Sequence, residues 1–145
     1  MALSHEDRTA VTDLIAMHGH LVDSGRLDRL GELFTADVVY DVSDFGGPPL
    51  HGLPAIREAA LALGEGNPLG HHVTNTVLTE IAGDRVHALS KGIGITTAGT
   101  CGTVTYDDTV TRTAAGWRIA HRKVLAHRSP LGADRRTPEA GHTFG

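Results

Sequence analysis

The sequence predicts an α+β fold, helices first and strands afterwards, and three observations carry that prediction. Apolar residues recur at helical spacing in three segments before residue 65. A Gly46-Gly47-Pro48-Pro49 string interrupts those segments, and from His71 onward the apolar period falls to two. Helices followed by a run of strands belong in two layers, with N-terminal helices packed on one face of a curved, mainly antiparallel sheet.

The elements follow in order. Ser4 and Asp7 have the spacing of a capping box, with aspartate in place of the usual glutamate, and Val11, Leu14, Ile15, His18, Leu21 and Val22 then share a helical face. The spacing predicts a first helix from about residue 5 to Val22. Asp23-Ser24-Gly25 ends it, and Leu27, Leu30, Leu33 and Phe34 mark a second short helix ending before Ala36-Asp37. Val38 to Asp44 reads as a strand. Pro54, at a favoured first helical position, opens a third helix carrying Ile56, Ala59, Ala60 and Leu63 to Gly64. Beyond it, His71, Val73, Asn75, Val77, Thr79 and Ile81 are expected on one strand face, with His72, Thr74, Thr76, Leu78 and Glu80 on the other. Val86 to Thr97, Thr103 to Thr113 and Trp117 to Arg128 complete a four-strand antiparallel meander, joined through Gly83-Asp84, Ala98-Gly99 and Ala115-Gly116. One domain is expected over residues 1–128, with 129–145 as an irregular C-terminal tail.

Composition narrows the function. At 145 residues the chain has room for about one domain. Thirteen basic against seventeen acidic residues give a formal charge of -4, which argues against nucleic-acid binding. No apolar run approaches the roughly 20 residues of a membrane helix, and the amino end lacks the basic and apolar regions of a signal peptide, so no membrane contact and a cytoplasmic location are expected. The single Cys101 excludes an internal disulfide and a multi-cysteine zinc site.

Ten histidines stand against six aromatic residues. Imidazole titrates near neutrality, so the excess raises acid-base and metal chemistry. His18 and His20 are about 200° apart around a helix and cannot converge on one ion. His71 and His72 point to opposite strand faces. The HExxH and thiolate spacings of zinc sites are absent, and no metal is expected. Gly92-Ile93-Gly94 is a weak echo of a dinucleotide loop, but a strand continues after it; its glycines fit a bend or a close backbone approach, and no cofactor is expected. Noncovalent acid-base chemistry remains, with Asp23 and His71 as the candidate pair. A carboxylate that accepts from one imidazole nitrogen fixes the tautomer and leaves the other free to take a proton. Taken singly, Asp23 also reads as a helix-terminus residue and His71 as a core histidine.

Several strings resemble the SnoaL-like, nuclear transport factor 2-like family. They are Leu27-Asp28-Arg29-Leu30-Gly31-Glu32-Leu33-Phe34 with Val38-Val39-Tyr40-Asp41, His71-His72-Val73-Thr74-Asn75 with Glu80-Ile81-Ala82-Gly83-Asp84, and Gly116-Trp117-Arg118-Ile119-Ala120-His121-Arg122. The resemblance implies a cone-shaped α+β fold over residues 5 to 128, hosting dehydratases, isomerases, polyketide cyclases and noncatalytic carriers. It is nearest to the branch of scytalone dehydratase and hexachlorocyclohexane dehydrochlorinase, whose aspartate and histidine fall on Asp23 and His71, with Arg112 near the arginine that holds a departing group. It departs from scytalone dehydratase where that enzyme's second histidine falls on Thr96 and its pocket tyrosines on Val22 and about Val42. Tyr40 or Tyr106 is left as the substitute.

The resemblance and the residues together imply a cofactor-free lyase or isomerase that removes a carbon-bound proton from a small, apolar, cyclic substrate. His71 is the expected base, Asp23 its partner, and Arg112 or Tyr40 the holder of the departing or enolising oxygen. Val22, Phe34, Val73, Tyr106 and Trp117 are the expected walls. A polyketide or terpenoid cyclase and a noncatalytic small-molecule-binding module are the alternatives, and a homodimer or homotrimer packed through the outer sheet face is the implied assembly.

Overall fold

A computed structural model describes residues 3–135. The first helix, α1, spans His5–Asp23, and the Ser4 hydroxyl caps it by accepting the Asp7 backbone N–H at 3.1 Å. Its face of Val11, Leu14, Ile15, His18 and Leu21 is buried, as the helical spacing expects. A 3-10 turn over Leu27–Glu32 leads into β1, Phe34–Asp41. Then come the short β2, Leu50–His51, and α2, Leu53–Leu63. The meander follows as β3 (Gly70–Ala82), β4 (Arg85–Ile95), β5 (Cys101–Thr113) and β6 (Gly116–Ala126).

The six strands form one mixed sheet in the order β2-β1-β6-β5-β4-β3. The meander is antiparallel as expected, but β1 joins it by running parallel to β6. Phe34, expected as the last apolar residue of a helix, is the first residue of β1, pairs with Ile119 and is 1% exposed. A single apolar residue at an element boundary fits either period, and tertiary pairing decides it. Helix α1 lies across the sheet and closes a core of Val11, Ile15, Leu30, Phe34, Val86 and Ile119 among others.

Two bulges change which residues face that core. Asn75 takes φ 56, and the β3–β4 register shifts between Thr74 and Val77. Asparagine tolerates this left-handed conformation better than most residues. The extra residue reverses the alternation: Val73 and Leu78 pack against the core, while Val77 and Ile81, expected on the face of His71, are 59% and 49% exposed. In β6 the pairing with β5 skips Ala120, since Val110 faces Ile119 and Thr109 faces His121. Alternation from Trp117 and Ile119 would send Arg122 to solvent. The bulge turns Arg122, Val124 and Ala126 inward instead.

Arg122 therefore enters the core as a charge. It sits directly across from Asp108 and is met by a bidentate pair, Nε and Nη2 donating to the two carboxylate oxygens at 2.8 Å each, with both side chains fully buried.

The expected irregular tail begins with a 3-10 segment, Pro130–Arg135, in which Leu131 and Gly132 have φ 59 and 64. Its remainder, 136–145, lies outside the described residues. No helix among those described is long and apolar enough to cross a membrane.

Removing one partner of a buried ion pair strands the other charge. Asp108→Ala is expected to cost about 3–5 kcal/mol in urea unfolding. A loss under about 1 kcal/mol contradicts the view that Asp108 is what keeps Arg122 inside.

Candidate active site

Asp23 is the last residue of α1, and His71 is the second residue of β3. Helix and strand meet because residue 19 is glycine. A Cβ at Gly19 would lie 2.7 Å from the His71 carbonyl oxygen and 3.2 Å from its Cβ, so no side chain fits between them. One turn further on, the Asp23 carboxylate grips His71 twice. Its Oδ1 lies 2.6 Å from the ring Nδ1, and its Oδ2 accepts the His71 backbone N–H at 2.9 Å. Nδ1 is thereby committed to Asp23, and Nε2 is the nitrogen left for other chemistry. The pair is partly shielded, with 16% and 27% of the His71 and Asp23 side chains exposed.

His71 borders a cleft of about 480 Å³ that also takes in Tyr40, Val42, Phe45, Leu63, Val104, Tyr106 and Val124. Polar groups converge beneath it. The Tyr106 ring lies 4.2 Å from the Arg122 guanidinium and the Tyr40 ring 6.0 Å from it. Gly92 makes room for this, because a Cβ there would come within 2.5 Å of the Tyr106 ring. His18, one turn before Val22 on α1, packs edge-on to His71 with ring centroids 6.1 Å apart, and against Phe34, Tyr40 and Tyr106.

The charges in this layer are sorted by burial and by neighbours. Burial holds His18 well below the ordinary histidine value, and Arg122 and His71 push in the same direction, so His18 is neutral. Burial raises the Tyr40 phenol, with Arg122 opposing it in part. Burial and the adjacent Tyr40 raise Tyr106 further, and both phenols stay protonated as donors. Burial also works against the charge of Arg122, but Asp108, Tyr40 and Tyr106 outweigh it and hold the guanidinium above its ordinary value. Two polar atoms in this layer, His18 Nδ1 and Arg122 Nη1, are buried without a partner among the described residues.

The model of the SnoaL-like domain matches residues 4–123. This chain belongs to that family. Among solved structures, the SnoaL-like chain is similar to an NTF2-like protein with a cystatin-like fold from Novosphingobium aromaticivorans. The two are 28% identical at a TM-score of 0.72, over 89% of this chain and 87% of that one. The Kfla4162 protein from Kribbella flavida is 25% identical at a TM-score of 0.70, covering 85% and 92% of the two chains. LinA shares the fold at 21% identity and a TM-score of 0.66, covering 95% and 92%. No curated protein matches the sequence.

The SnoaL-like frame sorts the other expected residues. Tyr40 and Tyr106 border the cleft with His71, and Phe34 lies just beneath, its ring 5.7 Å from those of His18 and Tyr40. Val22 and Val73 pack against the core and do not border the cleft. Arg112 and Trp117 are elsewhere. Arg112 pairs with Asp7 at 2.8 Å and stacks 4.4 Å from the Trp117 ring, whose Nε1 donates to Asp7 at 3.0 Å. This cluster ties α1 to the far end of β5, about 20 Å along the strand from Tyr106. The guanidinium near the cleft is Arg122, reached only through the β6 bulge.

Gly19→Ala is expected to force α1 away from β3, lowering stability by about 1–3 kcal/mol and speeding hydrogen exchange at the His71 amide. Unaltered exchange at that amide contradicts the steric account of the pair.

Proposed function

We propose that this SnoaL-like protein is a lyase or isomerase that starts its reaction by moving a carbon-bound proton to His71 Nε2. The observation that carries the reading is the Asp23–His71 pair at 2.6 Å, on the border of a largely apolar cleft. In the resting pair, Nδ1–H donates to Asp23 and the bare Nε2 accepts. When Nε2 takes the substrate proton the ring becomes cationic, and the carboxylate already in place stabilises it. Electron density left on the substrate moves to an oxygen conjugated with the reacting carbon. Protonated phenols at Tyr40 and Tyr106, with the Arg122 cation beneath, are already in place to favour that developing charge.

Two outcomes balance without any further reactant. His71 returns its proton to a departing hydroxyl, giving an alkene and water, or returns it to a different carbon, giving an isomer. His18, held neutral by burial, adds no charge to compete with the imidazolium. Membership of a family that hosts dehydratases and isomerases supports the same class of chemistry. The substrate is small and mostly apolar, because the cleft is about 480 Å³ and lined chiefly by Val42, Phe45, Leu63, Val104 and Val124 beside the tyrosines.

In deuterium oxide, proton NMR of a panel of cyclic ketones and β-hydroxyketones reads both exchange of the activated hydrogen and elimination. His71→Ala and Asp23→Asn are each expected to slow the best substrate by about 10²–10⁴-fold while retaining the native circular dichroism spectrum. Unchanged turnover in both variants removes the pair from the mechanism.

A further inference from the structure

We propose that His18 is a second residue acting on the substrate, its Nε2–H donating a hydrogen bond to the oxygen that takes up charge as His71 removes the proton. The ligand is then a ketone, seated with its carbonyl over α1. The inference rests on the reading of the cleft as the substrate site and of His71 as the base, and it adds the class of compound and a residue that the proton transfer itself does not use.

His18 is a buried polar side chain with nothing to bond to. It is 5% exposed, and no hydrogen bond reaches its ring from the described residues. An unmet polar group in the interior costs about 1–3 kcal/mol, so a ligand atom that meets it gains accordingly. Its position shows which ligand atom that is. The His18 ring centroid lies 6.1, 6.3 and 6.4 Å from those of His71, Tyr40 and Tyr106, and all three of these residues border the cleft. A ring almost equally distant from three others lies on the line that passes between them. His18 is therefore the floor under the point where the base and the two phenols converge.

Burial also decides which nitrogen carries the proton. Nδ1 is sealed and unpartnered. A proton there would be an enclosed donor with no acceptor, whereas a proton on Nε2 can be shared with an oxygen in the cleft. Burial, with Arg122 and His71 acting in the same direction, keeps the ring uncharged. A neutral imidazole is a competent donor to a carbonyl oxygen. Two phenols and one neutral imidazole are uncharged donors, and they suit an uncharged oxygen that turns negative during the reaction. In that step the carbon–hydrogen bond breaks and its proton goes to His71 Nε2. The freed electron pair forms a carbon–carbon double bond, and the carbonyl pair moves onto the oxygen. Nothing is oxidised or reduced, and His18 keeps its proton throughout.

Binding of 2-tetralone, labelled with carbon-13 at its carbonyl, to the full chain tests this by NMR, because a carbonyl carbon moves downfield as its oxygen accepts hydrogen bonds. His18→Phe fills the same space without a donor. In that variant the bound signal is expected to move upfield, ketone affinity to fall about fivefold, and deuterium exchange at the α-carbon to slow about 10²-fold. His18→Gln, which restores an amide donor, is expected to recover part of each. An unchanged bound signal in folded His18→Phe, or no binding at millimolar ketone, overturns the proposal. So does nitrogen-15 NMR of the unaltered protein that finds the His18 ring proton on Nδ1, a result that needs no substitution. Donation to the carbonyl precedes proton transfer, so His71→Ala should keep the downfield signal. A failed base and a failed donor are therefore told apart.

Discussion

The fold is organised around a positive charge placed where charges are expensive. Arg122 is fully buried, and the interior around it is arranged to make that tolerable. Asp108 meets it with two 2.8 Å hydrogen bonds from the neighbouring strand, and Tyr106, Tyr40 and Phe34 set their rings against the guanidinium. The absence of a side chain at Gly92 admits the Tyr106 ring. The same cation helps keep His18 neutral. A buried ion pair of this kind is weak evidence for stability by itself, since apolar residues of similar volume often do as well. Its consequence here is a preorganised polar floor beneath a mostly apolar cleft.

His71 stands at the edge of that floor, and its placement is a separate solution to a separate problem. Asp23 contacts both the ring and the backbone of the same residue, so that position and ring orientation are set together. The helix that delivers Asp23 reaches the strand only through Gly19. Two glycines, one under each half of the site, thus matter for the space they leave and not for their backbone freedom.

The order of elements, the N-cap at Ser4, the buried stripe of α1, the meander and the pairing of Asp23 with His71 were legible in the sequence, because each follows from a period, a cap or a family likeness. Where legibility failed, the cause was a bulge or a shared boundary. Strict alternation put Val77 and Ile81 beside His71 until Asn75 reversed the phase. The skipped residue at Ala120 hid Arg122 among residues that read as solvent-facing, and the family likeness pointed instead to Arg112, which holds α1 through Asp7 and Trp117. His18 carried a signal that could have found it. It lay on the apolar face of the first helix, where a polar side chain is buried and must face either a partner or a cavity.

Proton abstraction by His71 requires that Nε2, and not Nδ1, be the bare nitrogen. Nitrogen-15 NMR of the ring-labelled protein, taken through a pH titration, reads this directly. The structure predicts a neutral ring protonated at Nδ1 and bare at Nε2, with the balance between tautomers lost in Asp23→Asn. A ring that carries its proton on Nε2 in the unaltered protein contradicts this mechanism, since Nε2 would then have no lone pair with which to take a proton.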